Sequence, residues 1–472
     1  MTSEVVLMNR LAVAMAADSA VTVGDGTKIY QSAIKLFTLS KFHPIGVMIY
    51  HTASILGYPW ETIIKAYRQQ LGRKSFAKVS DYCADFRRFL HANERGLFSP
   101  QLQEIVALAA ISESLDGIVN KMKSLYFKDY DPTDGRLMTT ALATVLAEQK
   151  EELGKLKVME CFPSGIEKKI EKTLRADTIK FADEKLRSEM GIFFAPEKDE
   201  SVMPVLLEEI VATMTMRLAR QPRFGAYSGL VFAGFGEEEF LPSMLNITIG
   251  GVVCNQLKWH LQETHEVDAI GAPVIRPFAE STMANTFING IDPDLRDRAA
   301  FASITMVHEI VSLTVDSITE LSDSRKKAVT EQCGKSAVDA WRSYQRDLRK
   351  HMDEKHRHPL QQVIASLPKD ELAEVAESMV SLNALKMRVS QAQETVGGPI
   401  DVAVITKGDG FIWIKRKHYF KTELNPQFVS NYFRSEDGSD APGKKRTAAT
   451  KRKPRAAGRG AGNVARSRKR NS

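Results

Sequence analysis

Two apolar runs open the chain, Val5-Val6-Leu7-Met8 and Leu11 to Ala17, with only Asn9-Arg10 between them as a polar break. Runs this short, two polar residues apart, predict a β-hairpin. The pattern continues as Ala20-Val21-Thr22-Val23, which leads into the turn signal Gly24-Asp25-Gly26, and then as strands over Ile34 to Leu39 and Ile45 to Tyr50. A chain that begins with so many strand segments has to find sheet partners for them and cover their apolar faces. The cover starts directly afterwards, where the period changes and Trp60, Ile63, Ile64, Tyr67 and Leu71 fall on one helical face.

From about Arg73 to Arg223 the sequence is charged and helical in pattern. Strands return at Gly229 to Gly236 and at Met244 to Cys254, joined by the acidic turn Glu237-Glu238-Glu239. Helices dominate again from Asp294 to Gln393. Within them Leu372, Val375, Met379 and Leu382 keep one apolar stripe, opened by Pro368 and the first-turn acids Asp370 and Glu371. A last hairpin runs from Pro399 to Thr406, turns through Lys407-Gly408-Asp409-Gly410, and returns over Phe411 to Arg416. No internal repeat is visible. This order predicts two antiparallel sheets covered by helices, an α+β layered architecture. The expected divisions are 2–72 for the first part of the sheet domain, 73–223 for a helical insertion, 224–434 for the remainder with extra helices, and 435–472 for a disordered basic tail.

Charge sharpens the last boundary. Residues 441–472 hold twelve of the 65 Lys and Arg and no acid, which leaves 53 bases against 58 acids in the body, a net of −5. Gly, Ala, Pro and basic residues replace apolar ones in the tail, so it cannot bury a core. It carries no Phe, Tyr or Trp after Phe433, so contact with nucleic acid through Lys444 to Arg470 would be phosphate attraction without base stacking. A solubilising tail is an equal alternative. No apolar run approaches the roughly 20 residues of a membrane-spanning helix, and no membrane partner is expected. Glu4 and Arg10 argue against reading the first apolar stretch as a signal peptide. The four cysteines, Cys83, Cys161, Cys254 and Cys333, form no CxxC pair, and a cytoplasmic location is expected.

Chemistry is concentrated near the start. Thr2 is small enough to permit removal of Met1, and a free N-terminal threonine carries a hydroxyl and an amine on one residue. That amine, with an ordinary pKa of roughly 7.7–8, can act as base for its own hydroxyl. Ala16-Ala17-Asp18-Ser19 follows, then Lys35 within Ile34-Lys35-Leu36-Phe37, and far downstream Thr395-Val396-Gly397-Gly398-Pro399 precedes Asp401 to Ile405. In these residues the chain resembles the proteasome β-subunit family, which includes the bacterial two-component ring protease and belongs to the N-terminal nucleophile (Ntn) hydrolases. The resemblance spans Thr2 to Gly72, and more weakly Gly229 to Gly251 and Pro368 to Ile414. It does not extend to the helical stretch between them or to the tail.

The resemblance implies a four-layer αββα sandwich and a threonine-type hydrolase of amide or peptide bonds, with no cofactor and no metal. It makes Thr2 the nucleophile, Lys35 the cation beside it, Asp18 the partner of Lys35, and the backbone N–H of Tyr50 the oxyanion donor, with the tyrosine ring reshaping the pocket. The family's Asp-x-x-Ser before Gly397 reads Gln393-Glu394-Thr395-Val396 here, so the accessory serine is lost; Ser19, Glu394 and Thr395 are the remaining accessory candidates. Family members act as rings, which implies a homo-oligomer. Asp18 as a turn acid and Lys35 as a strand-edge charge are the structural alternatives. A non-catalytic scaffold that binds nucleic acid or a protein through the tail and helical region is the alternative function. His308-Glu309 lacks the second histidine of a zinc-protease motif because Ser312 occupies its place, and His356-Arg357-His358 reads as an exposed polar cluster.

Overall fold

The computed structural model describes residues 2–23, 28–92, 96–126, 138–190, 196–268, 270–320, 322–390, 396–418, 420–427 and 430. The Gly24-Asp25-Gly26 turn, Glu394, Thr395 and the basic tail lie outside the described residues. Two compact units divide at Lys417/His418; the second includes a short 3-10 turn, Thr422–Leu424. All that follows concerns the first.

The chain opens with β1 (Ser3–Met8), β2 (Val13–Ala17), β3 (Val21–Val23), β4 (Lys28–Tyr30), β5 (Leu36–Thr38), β6 (Ile45–His51), β7 (Ser54–Ile55) and β8 (Tyr58–Pro59). Six helices follow: α1 (Trp60–Leu71), α2 (Val79–Ala92), α3 (Pro100–Tyr126), α4 (Met138–Gly154), α5 (Ile166–Met190) and α6 (Pro196–Arg220). Then come β9 (Ser228–Gly234), β10 (Ser243–Val253), β11 (Gln256–Glu266) and β12 (Val274–Ala279). Next are α7 (Thr282–Asn289), α8 (Pro293–Asp316), α9 (Asp323–Met352), α10 (His358–Ser366) and α11 (Lys369–Val389), and the hairpin β13 (Asp401–Thr406) and β14 (Gly410–Lys415) ends the unit.

Two five-stranded sheets, with antiparallel pairing throughout, organise the strands. One has the order β12-β1-β2-β13-β14 and the other β11-β10-β9-β6-β5. Alternation sorts their side chains. Val6 and Met8 of β1 share a core with Met48 and Tyr50 of β6 and Val231 of β9, so side chains of both sheets pack together. Val5 and Leu7 pack instead with Leu372, Ala376 and Val380 of α11. Val47 and Ile49 pack with residues of α1 and α2. Gly46 marks a close approach between the sheets: a Cβ there would lie 2.9 Å from the Phe411 ring and 3.1 Å from Met15 Sδ.

The helical stretch separates into two parts. Tyr82, Cys83 and Phe86 of α2 belong to the core of the second sheet, and Glu239 of the acidic turn accepts the α2 Val79 N–H at 3.0 Å. Helices α3 to α6 carry a core of their own, reached from the sheet by Val253. Both histidines of the His356-Arg357-His358 cluster are exposed, as read from the sequence, while Arg357 bonds Asn289 and Asp353 and His356 lies against Gly290. Among the described residues no group of three or more His, Cys, Asp or Glu is placed to hold a metal. One finding amends the sequence-level view of membranes: α8 is long and apolar enough to cross one by length and composition.

Candidate active site

Asp18 sits where β2 ends, with no exposed surface, and four donors converge on its carboxylate. They are the N–H groups of Ser3 at 3.0 Å, Ala20 at 3.2 Å and Gly397 at 2.9 Å, and Lys35 Nζ at 2.5 Å. The hairpin explains the first: β1 and β2 pair as Glu4↔Ala17, so the residues that flank this pair meet at its open end. Asp18 also returns its own N–H to Ser3 O at 3.1 Å. The residue after Thr2 is therefore fastened twice to Asp18. Thr2 itself is held by its carbonyl, which accepts the Glu280 N–H at 2.7 Å just past β12.

Lys35 leads into β5 and is almost fully buried. Burial depresses its ammonium below the ordinary lysine range, and the Asp18 carboxylate partly offsets this. The Thr2 hydroxyl is buried as well, and its oxygen has no hydrogen-bond partner among the described residues. The chain thus brings a buried ion pair to the end of β1 that carries an uncommitted hydroxyl.

Ser19 is committed elsewhere. Its hydroxyl donates to Pro399 O and its N–H to Gly397 O at 3.1 Å, which ties the loop before β13 to the β2 end. Val396, in the position of the lost serine, is fully buried.

The Tyr50 N–H, read from the sequence as the oxyanion donor, turns away from Lys35. Successive residues of a strand turn their N–H groups to opposite sides. The Ile49 N–H donates to Lys35 O at 2.9 Å, on the β5 side. The N–H of Tyr50 therefore turns towards β9, where Tyr50 pairs with Gly229, and the Thr52 N–H on the same side reaches Tyr227 O. His51 is the residue whose N–H turns to the Lys35 side. The β5 ladder stops at Leu36 opposite Met48, so no strand stands across from His51 there. His51 has φ 66°, an uncommon backbone for a residue other than glycine. Tyr227 Oη lies 2.9 Å from its Nε2, and partial burial with the nearby Arg223 charge lowers the imidazole pKa.

The Tyr50 ring points between the sheets. It covers Gly229, where a Cβ would fall 1.9 Å from the ring, stacks on Phe278 at 5.6 Å, and donates its hydroxyl to Asn246 Oδ1 at 2.9 Å. Burial pushes its pKa up to about 12.

Sequence reasoning missed Glu280 and Asn383. Asn383 of α11 donates to Ser3 Oγ at 2.7 Å and accepts the Met283 N–H of α7 at 3.0 Å. Neither residue has a sequence signal, because both act through backbone groups or a serine brought close only by the fold.

No family model and no curated protein matches the chain. Among solved structures it aligns with the Anbu complex from Pseudomonas aeruginosa, described as a helical assembly, at 10% identity and a TM-score of 0.30, over 94% of this chain and 100% of that one. Anbu, an ancestral β-subunit, from Yersinia bercovieri aligns at 9% identity and a TM-score of 0.25 over the same shares. A Gly-1 mutant of Anbu from Hyphomicrobium sp. strain MC1 aligns at 9% and 0.27, again over 94% and 100%. Likeness at this level carries no argument about what the present chain does.

Proposed function

We propose that the chain is a threonine-type N-terminal nucleophile hydrolase of amide or peptide bonds, built as a four-layer αββα sandwich. The observation that carries this reading is the buried Asp18–Lys35 pair fastened to Ser3, beside a Thr2 hydroxyl with no partner among the described residues. A buried ion pair is costly to assemble for stability alone. Next to an uncommitted hydroxyl it has a chemical use.

In this mechanism removal of whatever precedes Thr2 frees its α-amine. The Lys35 charge favours the neutral amine and the developing alkoxide. Thr2 Oγ1 attacks the amide carbonyl carbon while its proton passes to the amine. The oxyanion is met by the His51 N–H, which takes the role read for Tyr50 from the sequence. The amine then protonates the departing nitrogen, the C–N bond breaks, and an ester remains on Thr2. Water, giving a proton to the same amine, attacks the ester, releases the acid and restores the hydroxyl.

An epoxyketone or β-lactone is expected to leave its adduct on Thr2, and Thr2→Ala to lose both adduct and turnover while it melts like the parent. N-terminal sequencing that finds Thr2 still blocked, or equal labelling of the alanine variant, refutes the mechanism.

We also propose that the body self-associates through α8. Leu295, Phe301, Met306, Ile310 and Leu313 along this helix are more than half exposed. Exposed apolar area of this kind marks an interaction surface.

A further inference from the structure

Glu4 is a group that this mechanism leaves unused. It lies two residues beyond Thr2 on β1, on the face shared with Val6 and Met8, so its side chain enters the core between the sheets. It has no exposed surface, and neither carboxyl oxygen has a hydrogen-bond partner among the described residues. Its cross-strand neighbours are Ala17 on β2 and Phe278 on β12, which offer no donor from their side chains. Phe278 in turn stacks on Tyr50, so the tyrosine ring closes the space over it. A glutamate is a poor choice for such a place unless its charge state is used, because an unpaired buried carboxylate is among the costliest groups a fold can hold.

The charged groups around it are accounted for element by element. Asp18, at the end of β2, and Lys35, before β5, both act on it electrostatically. Tyr50 of β6 is committed to Asn246. Arg276, on the same face of β12, is bonded to Glu263 of β11, which also pairs with His265. On β13, Ala403 and Ile405 enter this core and carry no charge, while buried Asp401 lies on the same face opposite Ala17. Lys417, which acts on Lys35, is bonded to Asp401. Asp401 and Lys417 pair with each other, which leaves Asp18 and Glu4 as the two carboxyls that act on Lys35.

We propose that Glu4 is a positioning residue of the Thr2 site, a second and proton-holding carboxyl that sets how firmly Lys35 keeps its charge beside the nucleophile. This rests on the hydrolase reading for its catalytic consequence and not for its electrostatic one. With the proton on Glu4, Asp18 and Lys35 balance and the site is neutral. With the proton lost, the extra negative charge binds the Lys35 proton more firmly and opposes the alkoxide on Thr2. The protonated form is the active one, and activity falls on the alkaline side as Glu4 ionises.

The test uses the full chain with 13C-labelled lysine, the Lys35 signal being assigned by its loss in Lys35→Arg. In Glu4→Gln the Lys35 titration is expected to move to lower pH by about one unit. Glu4→Met, which fills the same space without a polar head, gives the same shift if charge is the cause. Titration at the same pH in the parent and both variants overturns the proposal. The rate of Thr2 labelling by a β-lactone is measured over the same range: the parent is expected to lose rate as Glu4 ionises, and Glu4→Gln to lack that step and keep only the fall that follows loss of the Lys35 charge. If Lys35 shifts but Thr2 labels in no protein, the hydrolase reading fails and the charge coupling stands. If Thr2 labels with an identical pH profile in parent and Glu4→Gln, the positioning role is refuted and the hydrolase reading survives.

Discussion

Asp18 and Lys35 form one ion pair but have unequal duties. Asp18→Ala strands the buried N–H groups of Ser3, Ala20 and Gly397 as well as an ammonium, whereas Lys35→Ala leaves a carboxylate that still accepts three N–H bonds. Loss of one member of a buried pair costs about 3–5 kcal/mol, and Asp18→Ala is expected at or above that range with activity gone. Lys35→Ala is expected to fall below it, also with activity gone. Urea unfolding of the two variants beside a labelling assay checks the order; equal stabilities would remove the asymmetry. Glu4 supplies a pH signature at the same scale. Burial raises its folded pKa well above the ordinary value of about 4.3. As pH rises the unfolded chain releases this proton first, so the folded state binds more protons and stability falls with pH. The Glu4 contribution is complete below the unfolded pKa and is lost as pH climbs through the folded one. Denaturant midpoints from pH 4 to 9 are expected to decline more steeply for the parent than for Glu4→Gln, and parallel curves would show that Glu4 ionises as freely folded as unfolded.

Asn383 shows how elements away from Thr2 hold the start of β1 in place. One amide links α11 to Ser3 on β1 and caps the start of α7, so three elements share two polar atoms. Asn383→Ala leaves a buried hydroxyl and helix-start N–H groups without it, and a loss of about 1–3 kcal/mol is expected by urea unfolding. Asn285→Ala, whose amide donates to Ser281 one turn away, is the comparison and is expected to lose less. What the sequence made legible follows from the same distinction between local and distant causes. The β1–β2 hairpin, β9, β10 and the closing β13–β14 hairpin were read correctly because each has apolar runs with turn residues beside them. The strands β11 and β12 were not. Gln256–Glu266 is mostly polar and charged, with a half-exposed face, and Val274–Ala279 contains Pro277, which weakens a strand signal but is tolerated because β12 is an edge strand. Missing β12 hid Glu280 and the clamp on Thr2. Whether the Tyr50 or the His51 N–H faces Lys35 is beyond sequence, since alternation of N–H direction depends on a register fixed by β5 and β9.

At the scale of the whole molecule the division of labour lies between a buried site and an uncovered helix. The α8 helix packs on α9, yet its long apolar side chains remain outside. Covering one such side chain gains about 1.5–3 kcal/mol relative to leaving it in water, so several together can hold an assembly. A bilayer is the other apolar medium that would accept a helix of this length. Two features weigh against it. His308 and Glu309 stand within α8, and α9 beside it is rich in exposed charge, including Lys327, Lys335, Arg342 and Arg346. A second copy of the chain can leave those charges at the rim of a contact, whereas hydrocarbon would have to take the helix with its charged neighbour. Light scattering of the chain without residues 441–472 is expected to give a mass well above that of one protomer. Phe301→Lys with Ile310→Lys is expected to return it to one protomer. A monomer at micromolar concentration in the parent contradicts self-association. Flotation of the parent with neutral phospholipid vesicles, abolished by the same pair of substitutions, would give α8 to the membrane instead.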